Sequence, residues 1–158
     1  MAHDTCTSLS DERRRRRSSD PLVAMRFQLM QVMDDFALNA CVLANDEGLL
    51  LVSPEALSEG DAEILAAMGT LPRREDGSFQ NEALLGSCLE QLSEAVALSK
   101  AELQAPAAMV YTQEFWAWDQ PWTLVAVGQI SRAQELSLMR AIMGIRRIAR
   151  QCTESRVA

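Results

Sequence analysis

The stretch that most restricts the fold is Ala40-Cys-Val-Leu-Ala-Asn-Asp-Glu-Gly-Leu-Leu-Leu-Val-Ser53. Two apolar runs, Ala40–Ala44 and Leu49–Ser53, flank the polar tetrad Asn45-Asp46-Glu47-Gly48. Asn and Asp tolerate left-handed backbone, and Gly48 accepts positive φ without steric cost, so the tetrad reads as the turn of a β-hairpin. Neither run alternates apolar with polar residues. Such a hairpin is expected to be covered on both faces and to form the central strand pair of a sheet.

Helices are expected on both sides of it. Asp20 is a cap and Pro21 suits the first helical position. Leu22, Met25, Leu29, Val32, Met33 and Phe36 then share one face, and the helix is expected to end near Leu38-Asn39. A second helix starts at Ser58, with Asp61 as its capping-box partner and Ile64, Leu65, Met68 and Leu71 as its apolar stripe. Ala62, Ala66 and Gly69 form another, small-residue face, suited either to a sheet packed closely on it or to a symmetric helix pair across a dimer. Pro72–Ser78 breaks the chain, and a further helix is expected over about Asn81–Ser99, burying Leu85, Cys88, Leu89, Leu92 and Val96.

After Pro106 the composition turns to strand formers. Ala108–Trp118 reads as a strand, continuous or bent near Gln113, with Ala101–Gln104 as a short extra one. Asp119-Gln-Pro121 is the expected turn and Trp122–Gly128 the return strand. Five of the eight aromatic residues, Tyr111, Phe115, Trp116, Trp118 and Trp122, fall in this hairpin. Trp116, Trp118 and Trp122 are expected to cluster, as core or as an interface anchor. The last helix starts at Ser131 with Gln134 as its capping partner. Leu138, Ile142, Ile145, Ala149 and Cys152 form its stripe, and Leu136, Met139 and Met143 widen it, so that half is expected to be the more deeply buried. Arg140, Arg147 and Arg150 lie off the stripe, favourably placed for the helix dipole.

Charge and missing residues limit the chemistry. Of 158 residues, 22 are acidic and 15 basic, a net charge of −7. Residues 1–19 hold the run Arg13–Arg17 and read as a disordered Arg-rich tail, adequate for a weak anionic contact; the body, 20–156, reads as a single domain. An acidic body is a poor ligand for nucleic acid. No apolar run approaches the roughly 20 residues of a membrane span, and no leader pattern is visible, so a cytoplasmic location is expected. The only histidine, His3, lies in the tail, which leaves no histidine-dependent triad. There is no phosphate-binding glycine loop, and no Cys/His cluster for zinc. The cysteines, Cys6, Cys41, Cys88 and Cys152, are not closely paired and read as free thiols. Asp46-Glu47-Gly48 lacks the remaining ligands of a calcium loop. The expectation is a chain without catalytic, cofactor-binding or metal-binding residues.

From the first helix through the second, the sequence resembles the roadblock family, known from dynein light chains and bacterial regulators of Ras-like GTPases. The resemblance rests on Cys41–Ser53, on the acidic helix start Ser58-Glu-Gly-Asp61 and on Ile64-Leu-Ala-Ala-Met68. It covers residues 22–71 and extends loosely to Leu124–Val127 and the last helix. It implies an α+β, profilin-like sandwich: a five-stranded antiparallel sheet with the second helix on one face and the first and last helices on the other. It further implies a homodimer formed through the second helix and a sheet edge, with Ala62, Ala66 and Gly69 at the matching positions. The implied role is a non-enzymatic scaffold or regulator of a Ras-like GTPase. The break and extra helix around 72–99 depart from the family pattern, as do the Arg-rich tail and the Trp-rich hairpin. A small-molecule sensor domain of the PAS or GAF kind is the alternative that combines a central sheet with flanking helices.

Overall fold

The structure, a computed structural model, describes residues 20–157, with side chains through Cys152. His3, Cys6 and the Arg13–Arg17 run lie outside the described residues. The first helix, α1 (Pro21–Phe36), begins as expected: the Asp20 side chain accepts the Leu22 N–H at 2.9 Å. It closes through Ala37, a non-glycine residue in the left-handed region at φ 51°, whose N–H reaches the Met33 carbonyl.

The hairpin follows as β1 (Ala40–Asn45) and β2 (Leu50–Val52). The Asn45 side chain builds the turn, accepting the N–H groups of Glu47 and Leu49, both at 2.9 Å. Gly48 sits at φ 81°, where a Cβ would lie 2.8 Å from Thr70 Cγ2. Only half of the expected burial is present. Every residue of β1 from Ala40 to Ala44 is buried, but in β2 only Val52 is, and Leu49 and Leu51 are exposed. The sheet order explains this: β2-β1-β4-β3, all antiparallel, makes β2 a short edge and pairs β1 centrally with β4.

The sheet has four strands where five were expected. The chain between α2 (Glu59–Met68) and β3 (Val110–Ala117) forms other structure. Arg73 and Phe79 make one isolated bridge, and a single helix, α3 (Glu82–Glu90), follows. That helix is shorter than its apolar stripe. The Ser93 N–H, which a continuing helix would direct to the Leu89 carbonyl, is donated at 2.9 Å to the Asp61 carboxylate, so the helix stops. Leu92, Val96 and Leu98 are nevertheless buried, from irregular backbone. Asn39 Nδ2 donates to the Val96 carbonyl at 3.1 Å and holds that segment against the start of β1. Ala101–Gln104 is not a strand: Ser99 and Glu102 cap each other reciprocally, and Glu102–Gln104 forms a 3₁₀ turn, followed by another at Pro106–Met109.

Strand β3 pairs with β4 (Gln120–Val127) without a bend at Gln113, from Val110↔Val127 to Ala117↔Gln120. The final helix, α4 (Arg132–Val157), is preceded by Ser131, whose N–H and hydroxyl both donate to Gln134 Oε1. Two apolar layers result. Ala40, Val42, Ala44, Val125 and Val127 meet α2 and α3 on one face of the sheet. Cys41, Leu43, Trp122, Leu124 and Ala126 meet α1 and α4 on the other.

Gly48 and Gly60 make opposite cases. Gly48→Ala is expected to lower stability by about 1–3 kcal/mol, because it forces both the positive φ and the Thr70 contact. Gly60→Ala, in α2 with nothing near the added Cβ, is expected to raise it by about 0.5 kcal/mol. Urea midpoints of the two variants, at unchanged m, read the difference.

Candidate functional site

The residues singled out in the sequence divide into two sets, and neither forms a single surface. Ala62 and Ala66 are fully buried on the sheet side of α2. Gly69 sits so close to β4 that a Cβ would stand 3.1 Å from Val125 Cγ2. The small-residue face is therefore occupied by the chain's own sheet and is not open to a second helix across a dimer. Small side chains are needed there because Val42 and Val125 fill the space beneath.

The tryptophans separate across the sheet. The turn between β3 and β4 is the two-residue loop Trp118-Asp119, one step earlier than expected, with φ 51° and 58°. Two positive φ values match the twist of the flanking strands. They also turn Trp118 out of the alternation of β3. Its indole Nε1 donates to the Ala149 carbonyl of α4 at 2.9 Å, and its ring stands edge-on to Trp122 at 5.5 Å. Trp122 is 3% exposed and also meets Phe115 at 6.2 Å. Those rings and α4 occupy the layer beneath the tryptophan-bearing strands, where a small-molecule sensor would need an enclosed space. Trp116 lies on the other face of β3 and is 62% exposed. The expected cluster of Trp116, Trp118 and Trp122 is thus split: Trp118 and Trp122 meet, and Trp116 stands alone on the other face.

The titratable groups that are buried serve the fold. The Cys41 thiol is pushed up to about 12 by complete burial, and its Sγ donates to the Leu29 carbonyl at 3.6 Å, so it stays protonated and unreactive. Cys88 and Cys152 are half-buried free thiols. Asp61 is the one buried charged residue among those described. The Ser93 hydroxyl, first, and the Ser93 N–H hold its carboxyl below the usual carboxylate range, against the opposing effect of burial. No cluster of three metal-ligating side chains occurs among the described residues, and no described helix is long and apolar enough to cross a membrane.

Two surfaces are left without a partner among the described residues, one offered by the sequence only as a sheet edge or aromatic interface anchor and one expected to be buried. One is the outer edge of β3, eight residues long and paired only to β4. The other is on α4. Leu136, Met139 and Met143, expected to be deeply buried, are 51%, 52% and 65% exposed. At 100° per residue they lie roughly 125° around the helix from Leu138, Ile142 and Ile145, too far to join that stripe. A helical projection shows this from sequence alone. No protein-family model, curated protein or solved structure matches the chain.

Two sets of variants test these assignments. Ser93→Ala removes one of the hydrogen bonds to a buried carboxylate and is expected to cost about 1–3 kcal/mol at neutral pH. Because the folded pKa of Asp61 is depressed, the stabilisation is complete above the unfolded value near about 4 and is lost as pH falls through the folded one. Asp61→Asn should flatten that part of the stability–pH profile; an unchanged slope rejects the assignment. For the tryptophans, Trp122→Ala should cost about 3–5 kcal/mol and Trp116→Ala less than about 0.5 kcal/mol.

Proposed function

We propose that this chain is a non-enzymatic protein-interaction domain of the roadblock type, acting as a homodimer that scaffolds or regulates a Ras-like small GTPase. The layering supports this reading: α2 lies on one face of an antiparallel sheet, and α1 and α4 lie on the other, the arrangement the sequence resemblance implies. Binding in place of catalysis fits the spent state of the buried titratable groups, since Cys41 is held neutral and Asp61 is committed to Ser93.

The observation that carries the interaction role is the β3 edge. An eight-residue strand with an unpaired outer side is a template for another strand, and proteins usually shorten, cover or charge such edges. Here the strand is long, Glu114 is its one charged residue, and Trp116 is exposed beside the open ladder. This edge is the dimer contact in the proposal, because Ala62, Ala66 and Gly69 are buried within the chain.

Light scattering at micromolar concentration should give the mass of a dimer with a thermal midpoint that rises with protein concentration; Trp116→Glu should shift the protein to monomer and remove that concentration dependence while leaving the far-ultraviolet circular dichroism unchanged. A strict monomer with no response to this substitution rejects the assembly. The GTPase role is checked by retention of a Ras-like GTPase, loaded with GDP or with a non-hydrolysable GTP analogue, on immobilised protein. Retention that depends on the nucleotide is expected, and equal absence of both forms counts against the role.

A further inference from the structure

The outward side of α4 carries a pattern that the fold does not use. Leu138, Ile142, Ile145 and Ala149 face the sheet and are buried. Gly144 faces α1, where a Cβ would stand 3.2 Å from the Gln28 side chain. The opposite side is formed by Arg132, Leu136, Met139, Met143, Arg146 and Arg150, all exposed. Their spacing is four, three, four, three and four residues, the a/d seam of a heptad helix. The centre of the seam is apolar and each end carries arginine; Arg140 and Arg147 border it on one side, and the exposed Glu135 borders it beside Arg132 on the other, so the C-terminal end is the more cationic. None of these five guanidinium groups forms an ion pair with a described residue.

We infer that this seam docks an acidic amphipathic helix of a partner protein, with apolar residues against Leu136, Met139 and Met143 and carboxylates against the arginines at each end. Helix-in-groove recognition uses anchors at this spacing, and methionine side chains adapt to the knobs of a second helix. Charge selects the occupant. A second copy of α4 would place arginine against arginine in either orientation, and the Arg13–Arg17 segment of this chain would be repelled. An anionic membrane is disfavoured because residues 20–130 carry seventeen acidic side chains against four basic ones, and the seam has no aromatic anchor. This inference stands apart from the dimer reading: Trp116→Glu on β3 should leave it unchanged.

The probe is a fluorescein-labelled, hydrocarbon-stapled helical peptide of three heptads, with Leu at its central a and d positions and Glu at its outer a, d, e and g positions. Anisotropy with the full chain should show saturable binding that weakens as salt rises, since the flanking charges are screened. Met139→Glu with Met143→Glu should abolish it, and Arg146→Glu with Arg150→Glu should weaken it by roughly tenfold. A peptide with Arg in place of the outer Glu residues should recover binding to the Arg146→Glu/Arg150→Glu variant, which a merely misfolded variant would not allow. The substituted side chains are exposed, so far-ultraviolet circular dichroism should not change. Three results overturn the proposal: no binding by the unaltered chain, equal affinity in the Met139→Glu/Met143→Glu variant, or co-sedimentation with phosphatidylserine vesicles in the absence of peptide binding. Oligomers that the methionine substitutions dissolve would assign the seam to self-association and overturn it as well.

Discussion

The pairing of β1 with β4 is the constraint on which the rest of the structure depends. Six residue pairs run from Ala40↔Val127 to Asn45↔Trp122, and the sheet is buried on both faces along most of that length. Backbone polar groups there have no access to water, so the ladder satisfies them, and apolar side chains on both sides lower the free energy of hiding them. The two faces differ in size. Ala40, Val42 and Ala44 present a shallow surface, which lets the Ala62, Ala66 and Gly69 side of α2 approach closely. Leu43 and Leu124 present a bulkier one, spanned by two helices.

Asp61 shows how a single side chain changes the architecture beyond its own helix. Capping α2 requires only that Ser58 accept the Asp61 N–H, at 3.2 Å. The Asp61 carboxylate then remains for Ser93, and by taking the Ser93 N–H it ends α3 and turns the following segment across the sheet. The chain that supplies Leu92, Val96 and Leu98 to the core is thus the chain that does not become a fifth strand. An isolated buried carboxylate would be costly; this one is tolerated because it receives directed hydrogen bonds.

What the sequence made legible follows the range of the forces involved. Asp20, Ser58 and Ser131 were readable as caps because their partners lie within three residues, and the Asn45–Gly48 turn is equally local. The two helix layers were readable from periodicity. The end of α3 was not, because it depends on a partner 32 positions away. The strand count failed for the opposite reason: Ser99-x-x-Glu102 is a local capping signal that leads into the helix formers Ala101–Gln104, and it was legible but passed over. The tryptophans were misplaced by the shift of one turn position, which sends alternate side chains to opposite faces. The α4 seam was misread because two apolar stripes on one helix were merged, although 3.6-residue spacing separates them.

The surfaces left over are not scattered. Glu135 of α4 lies close enough to Tyr111 of β3 to raise its phenol pKa, second to burial, so the start of α4 crosses the start of β3. The α1 side of α4 is closed, with Gln28 against Gly144. The seam therefore faces away from α1, on the flank where the sheet ends in its unpaired edge. One half of the molecule is thus capped by α1, α2 and the short β2, while the other keeps a backbone ladder and a side-chain seam exposed. The two are chemically distinct. The ladder recognises any extended backbone and gains little from charge, whereas the seam discriminates by charge at its ends. A chain that kept both open on one flank without partners would carry an aggregation hazard on its longest strand, and the acidic body, repelling its own kind, moderates that hazard without removing it.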